Sequence, residues 1–192
     1  MHELLARQAL LHDEATQLLE STVLPILNQY GMVEVGGSYL YQLLYAPDLD
    51  IGVISSDVSK QIYIDVCTAF MALTTVSSLK STDRVHYAHR HWSGRPTGYW
   101  ISPRVHHNER EWELDIWLQQ PEWYAPNEPY YQNALQDLSE TQRLNILALK
   151  RDLIAANQYG VGKAFQSVDI YRTIIADPNQ SWKQLQEHFG LA

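Results

Sequence analysis

The sequence is poor in several things, and each scarcity excludes something. It holds one cysteine, Cys67, in 192 residues, so no disulfide can form within the chain. Positive charge is scarce, with 14 Lys and Arg against 22 Asp and Glu and a net charge of −8. That sign disfavours a general binder of long nucleic acid, whose phosphates must be met by cations. No apolar run approaches the ~20 residues that a membrane-spanning helix needs, so no membrane association is expected. The first residues, MHELLARQALLHDE, carry acids where a secretory signal needs an unbroken apolar stretch, and a cytoplasmic protein is expected. Internal repeats and low-complexity tracts are also missing. What is present is a globular balance, 45% hydrophobic and 19% charged residues, which excludes a disordered acidic tail. The length fits one domain with, at most, a small appended subdomain.

From Glu3 to about Tyr30, leucines and alanines recur at three- and four-residue steps, the pattern of an amphipathic helix that Pro25 either kinks or divides. Met32 to Val35 reads as a short strand, followed by a Gly36-Gly37-Ser38 turn and about two helical turns over 39–45. Asp48 to Ile54 alternates with a period of two, a half-buried strand with acids on one face. Asp57 is expected to cap a helix from Val58 to about Val76. Strands are expected at 84–92, 98–105 and 111–118, with turns at 93–96 and at His107-Asn108-Glu109. After Pro121 the composition shifts through Pro126 and Pro129 to helices, with Ser139-Glu140-Thr141-Gln142 as a capping box, Ser167 as a second cap, and a last helix over Ser181 to Phe189.

The stretch VEVGGSYLYQLLYAPDLDIGVI carries the chemistry. A strand that ends in Gly37-Ser38 and opens a helix presents backbone N–H groups and a hydroxyl to an anion such as phosphate. In the next strand Asp48 and Asp50 share a face, about 6.6 Å apart along the backbone, while Leu49, Ile51 and Val53 point into the core. Two such carboxylates suit Mg²⁺, a hard cation that travels with nucleotide phosphates. A third acid comes from EREWELDIWL, where Asp115 lies between Leu114 and Ile116 in mid-strand and would be costly there without a partner. Glu111 and Glu113 share its face, so Glu113 is an alternative for the third position.

This ordered set, Gly37-Ser38, Asp48-Leu49-Asp50 and Leu114-Asp115-Ile116, resembles the nucleotidyltransferases of the DNA polymerase beta superfamily over about residues 30 to 118. The resemblance implies an α+β fold, a mixed β-sheet flanked by helices and followed by a C-terminal helical subdomain. Residues 1–125 would form the catalytic domain and 126–192 the helical subdomain. It further implies transfer of a nucleoside monophosphate from an NTP, with ATP the expected substrate, to an acceptor hydroxyl with release of pyrophosphate. Asp48, Asp50 and Asp115 would hold two Mg²⁺, with Asp115 also placed to take the hydroxyl proton, while Gly37 and Ser38 would hold the β- and γ-phosphates. Lys150 and Lys163, on or between the C-terminal helices, are the cations to test against the triphosphate. The acidic balance points to a small-molecule or protein acceptor, and a monomer or homodimer is expected. One departure stands out: many small members carry Arg-Gly shortly after Gly-Ser, where this chain has Tyr39-Leu40-Tyr41-Gln42. A non-catalytic nucleotide-binding or partner-regulating protein of the same fold is therefore the second reading.

His86, His89, His91, His106 and His107 raise a third reading, a zinc-dependent hydrolase, but their spacing splits them between strand faces and a turn, and solvent-facing roles are favoured. Cys67 is read as core filling. The tryptophans of the strand region suit sheet packing, with Trp117, or Trp100 or Tyr99 of the preceding strand, available to stack on a base or line an acceptor pocket. Arg84, Arg90, Arg104 and Arg110 are expected to be exposed, with Arg104 near enough to the acidic strand to pair with a carboxylate or phosphate.

Overall fold

The computed structural model describes residues 2–87, 97–123, 129–160 and 162–191. Its elements run α1 (His2–Leu18), a π-helical turn (Leu19–Val23), α2 (Leu24–Leu27), β1 (Met32–Val35), α3 (Gly37–Leu40), β2 (Asp48–Ile54), α4 (Lys60–Met71), β3 (Val76–Asp83), β4 (Tyr99–His107) and β5 (Arg110–Gln119). Four helices follow: α5 (Pro129–Gln136), α6 (Glu140–Ala155), α7 (Ser167–Ala176) and α8 (Trp182–His188). The fold is α+β. Among the described residues no helix is long and apolar enough to cross a membrane.

The chain divides into two compact units. One comprises Leu11–Leu40 with Ala46–Pro126, the other Met1–Leu10, Tyr41–Tyr45 and Asn127–Ala192. The first is built on a five-stranded mixed sheet of order β1-β2-β5-β4-β3, in which only β2 and β5 run parallel. One face of that sheet is apolar because its three central strands alternate: Leu49, Ile51 and Val53 of β2, Ile101 and Val105 of β4, and Trp112, Leu114, Ile116 and Leu118 of β5 are all buried. In the same unit Leu11, Ala15, Leu18, Val23 and Leu27 of the N-terminal helices and Val66 and Phe70 of α4 are buried too. The second unit has its own core, centred on Ile146, Leu149 and Leu153 of α6, Ile170 and Ile174 of α7, and Leu185 of α8 with Phe189.

Several local expectations are corrected. At Pro25 the helix does not simply break: proline has no N–H to give, and the chain accommodates this with a π-helical turn just upstream. The helix after the Gly turn starts at Gly37 and stops at Leu40, because Gln42 takes a left-handed φ of 55°. Ser59, not Asp57, caps α4, its hydroxyl accepting from Ile62 N–H at 3.3 Å. That helix ends at Met71, and the Thr74-Thr75-Val76 run leads into β3, a strand absent from the sequence reading. Arg84 to His86 is a turn rather than the start of a strand, while 88–92, the 93–96 turn and the shift around Pro126 lie outside the described residues. Ser167 is the first residue of α7 rather than its cap, and Asp169 accepts from the Gln166 N–H at 2.8 Å. The capping boxes at Ser139 and Ser181 form with Gln142 and Gln184.

Candidate functional site

The acids of β2 and β5 meet because of register. Asp48 and Asp50 are exposed at the start of β2, between buried neighbours. The parallel pairing sets Asp50 opposite Asp115 and Asp48 opposite Glu113, on strands about 4.8 Å apart. Three carboxylates predicted from separate segments thus share the polar face of adjacent strands.

The Gly turn is fastened to the same place. Gly36 N–H donates to the Asp50 carbonyl at 2.9 Å. Gly37 has φ +57°, and a Cβ built on it would lie 1.7 Å from Asp50 Oδ2. Only glycine fits, both for the left-handed backbone and for the space that the carboxylate occupies. Ser38 is buried in the first turn of α3. Tyr39 is turned onto α1: its ring stacks on His12 with centroids 4.5 Å apart, and its hydroxyl meets Thr16 Oγ1 at 3.1 Å.

Glu113 and Asp115 have different company. Arg104 donates from Nη1 to Glu111 Oε1 at 2.8 Å and from Nη2 to Glu113 Oε2 at 2.9 Å, so the expected carboxylate pairing of Arg104 forms. Ser77 Oγ also donates to Glu111, at 2.8 Å, and this bond together with Arg104 holds the Glu111 carboxyl below its ordinary range. Asp115 instead accepts a hydrogen bond at Oδ1 from the indole N–H of Trp100. Of the two candidates for the third position, Asp115 is the one in register with Asp50.

The aromatic expectations separate in the same way. Tyr99 is buried on the apolar side, stacked on Tyr63 at 4.9 Å, whereas Trp100 and Trp117 pair across β4 and β5 on the acidic face. Arg84 is buried rather than exposed, its guanidinium 5.8 Å from the centroid of the Trp117 ring. Arg110 pairs with Glu14 at 2.8 Å. The Trp100 contact was within reach of the sequence: if Asn108-Glu109 is a two-residue hairpin loop, both residues with positive φ as found, Trp100 must pair with Trp117 and lie diagonal to Asp115.

The two lysines belong to the helical unit. Lys150 is 1% exposed, its ammonium donating to the Leu43 carbonyl at 2.8 Å and the Tyr171 hydroxyl at 2.9 Å. Lys163 is exposed and donates to Asn157 Oδ1 at 2.9 Å. Of the histidines, His86 bonds Asp83 through Nδ1 at 2.9 Å and His106 lies 3.7 Å from Glu111, while His89, His91, Arg90 and Trp92 lie outside the described residues. Burial pushes the Cys67 thiol up, away from the reactive thiolate.

Among the described residues no group of three or more His, Cys, Asp or Glu is gathered into a metal cage. The donor chemistry of Asp48, Asp50 and Asp115 nevertheless fits a hard divalent cation, since all are carboxylates on one polar face and the missing Cβ of Gly37 leaves room for the Asp50 head group.

No family model and no curated protein matches the sequence. Solved structures do match. A poly(A) polymerase complex, GLD-2 with GLD-3, aligns over 99% of this chain with a TM-score of 0.53 at 13% identity. A cytoplasmic RNA terminal U-transferase aligns over 91%, also with a TM-score of 0.53, at 10% identity. The α+β fold is shared with these two structures. This chain spans 59% and 53% of the length of those two neighbours.

Proposed function

We propose that the chain is a Mg²⁺-dependent nucleotidyltransferase that moves a nucleoside monophosphate from an NTP, with ATP the first to test, to an acceptor hydroxyl. The observation that carries this reading is the register of Asp50 with Asp115 beside a Gly37 whose missing side chain the Asp50 carboxylate fills. The nucleotidyltransferase fold of the neighbours supports the reaction class. Residues 1–125 would act as the catalytic domain and 126–192 as the helical subdomain.

In the reaction the acceptor oxygen attacks the α-phosphorus, the bond to the α,β-bridging oxygen breaks, and pyrophosphate leaves with that oxygen. Asp48, Asp50 and Asp115 would hold two Mg²⁺, which when bound supply a polarised acceptor oxygen and neutralise the charge on the departing pyrophosphate. Asp115 is assigned to receive the acceptor proton, and the Gly37-Ser38 turn to hold the β- and γ-phosphates through N–H and hydroxyl donors. Lys163 is the cation to test against the triphosphate, whereas Lys150, 1% exposed and donating to the Leu43 carbonyl and the Tyr171 hydroxyl, serves the core of the helical unit. The acceptor is assigned to small molecules or protein side chains: the face bearing Asp48, Asp50, Glu111, Glu113 and Asp115 is dominated by acids, and the net charge is −8. The neighbours' RNA substrates make an RNA oligonucleotide the control acceptor.

Calorimetric titration with each of the four NTPs, with and without Mg²⁺, tests the reading against the double variant Asp48→Asn, Asp50→Asn. Mg²⁺-dependent binding that the variant loses is expected. Folded protein that binds no NTP refutes the transferase. NTP binding that proceeds equally in the double variant favours the non-catalytic nucleotide binder, whose supporting observation is Tyr39, committed to α1 where small members carry Arg-Gly.

A further inference from the structure

Asp115 sits in an awkward place. Asp50 is its partner on the neighbouring strand, so two like charges share one face, and a carboxylate head group on Cβ turns freely unless something holds it. On the other side β4 pairs with β5 at Ile101 with Ile116 and again at Arg104 with Glu113, and skips the two residues between, Ser102 and Pro103. The constant register would set Ser102 opposite Asp115, but the Ser102 hydroxyl is directed to Glu113 Oε1 at 3.4 Å. A hydrogen bond reaches Asp115 from the diagonal position: the indole N–H of Trp100, donated to Oδ1. Indole is a donor only and has no second function to offer at this contact. The cross-strand partner of Trp100 in the register is Trp117, and the buried Arg84 guanidinium lies 5.8 Å from the centroid of the Trp117 ring.

From this geometry we infer that Trp100 is a positioning residue for the third carboxylate: its N–H fixes the orientation in which Asp115 meets a divalent cation and the acceptor hydroxyl. The inference rests on the nucleotidyl-transfer reading. Groups that orient metal ligands from behind are typically worth ten- to a hundredfold in affinity or activity when lost, although they touch neither metal nor substrate.

The test uses the full chain and Mn²⁺ as probe, and reads the metal site without requiring turnover. The six tryptophans give six indole N–H signals in a ¹⁵N-tryptophan spectrum, and Trp100→Phe assigns its own by removal. In the wild type, Mn²⁺ should broaden the Trp100 signal before those of tryptophans off the acidic face. Asp115→Ala should shift that signal more than any other, which detects the hydrogen bond even if Trp100→Phe folds poorly. Trp100→Phe, which keeps a ring and loses the donor, should weaken Mn²⁺ binding about tenfold and raise the Mg²⁺ needed for half-maximal activity with little change in NTP KM. Trp100→His, which keeps a ring N–H, should recover part of the loss. A Trp100→Phe protein that binds Mn²⁺ within twofold of wild type overturns the inference alone, as does a Trp100 signal indifferent to Asp115→Ala. Wild-type protein that takes up no Mn²⁺ overturns the nucleotidyl-transfer reading and this inference with it.

Discussion

Gly37→Ala places one methyl group between the Gly36-Gly37 turn and the Asp50 carboxylate of β2. The new Cβ would stand 1.7 Å from Asp50 Oδ2 and 2.7 Å from Asp50 Cγ, so the oxygen must retreat to at least about 3 Å. The retreat is sterically cheap, since the obstacle is the end of a side chain, but it moves the head group by more than 1 Å. A misplacement of that size costs on the order of a hundredfold in a positioned reaction. Separately, alanine at φ +57° carries left-handed backbone strain of about 1–2 kcal/mol, which lowers the melting temperature of a domain this size by about 2–8 °C. Gly36→Ala is the matched control, because a Cβ there meets nothing within 4 Å. Nucleotide incorporation and thermal unfolding, measured on both variants, separate the two effects. Gly37→Ala should stay folded at 25 °C and lose activity about a hundredfold, with Gly36→Ala near wild type in both assays. A Gly37→Ala protein with wild-type turnover would refute the assignment of Asp50.

The remaining predictions use other parts of the sheet unit. Asp115→Asn should abolish incorporation, whereas Glu113→Gln, which loosens the Arg104 pair and keeps an acceptor oxygen for the Ser102 hydroxyl, should leave turnover within a few-fold and stability within about 1 kcal/mol; the reverse order would transfer the third position to Glu113. Asp83 is desolvated, which alone would raise its pKa, but the N–H groups of His86 and Val85 and the His86 ring outweigh this and hold the carboxyl below its ordinary 3.8. A depressed carboxylate stabilises the fold above its unfolded pKa and loses that contribution as pH falls through the folded value. The stability gap between wild type and Asp83→Ala in urea unfolding should therefore hold at neutral pH and close below about pH 3.8.

The residues most legible in the sequence were those whose neighbours along the chain decide their setting. Asp48 and Asp50 were readable because alternation with Leu49, Ile51 and Val53 fixes their face, and Asp115 because Leu114 and Ile116 bracket it. The capping box at Ser139 was readable because both partners lie within three residues, and the same signal at Ser181 and Gln184 went unread although the helix there was expected. β3 was not readable, since VSSLKSTD has few apolar residues and is held chiefly by pairing with β4, whose partner residues lie between 16 (Asp83 with Tyr99) and 29 (Val76 with Val105) positions away. Arg84 was misjudged for a related reason: burial of a guanidinium depends on Trp117, supplied by a distant strand. The contact between Gly37 and Asp50 could be reached as a neighbourhood but not as a distance, because a left-handed φ at one glycine of a pair leaves no trace in the letters Gly-Gly.

A nucleoside triphosphate brings several negative charges to a face already rich in carboxylates, and two arginines of the sheet unit are already engaged. Arg104 is shared between Glu111 and Glu113, and Arg84 is buried over Trp117. The position after Ser38 carries a tyrosine locked to His12 and Thr16. The helical unit holds Lys150 and Lys163, and their substitutions should have different effects. Lys150→Met removes the donor that serves the Leu43 carbonyl and the Tyr171 hydroxyl inside a packed core, which should cost about 1–3 kcal/mol in urea unfolding. Lys163→Ala alters an exposed side chain and should leave stability within about 0.5 kcal/mol. It should nevertheless raise the NTP KM about tenfold with kcat little changed, the loss of one charge-assisted bond to phosphate. Lys163→Ala with an unchanged KM would remove that lysine from the site, and Lys150→Met with unchanged stability would show that its ammonium is not part of the helical core.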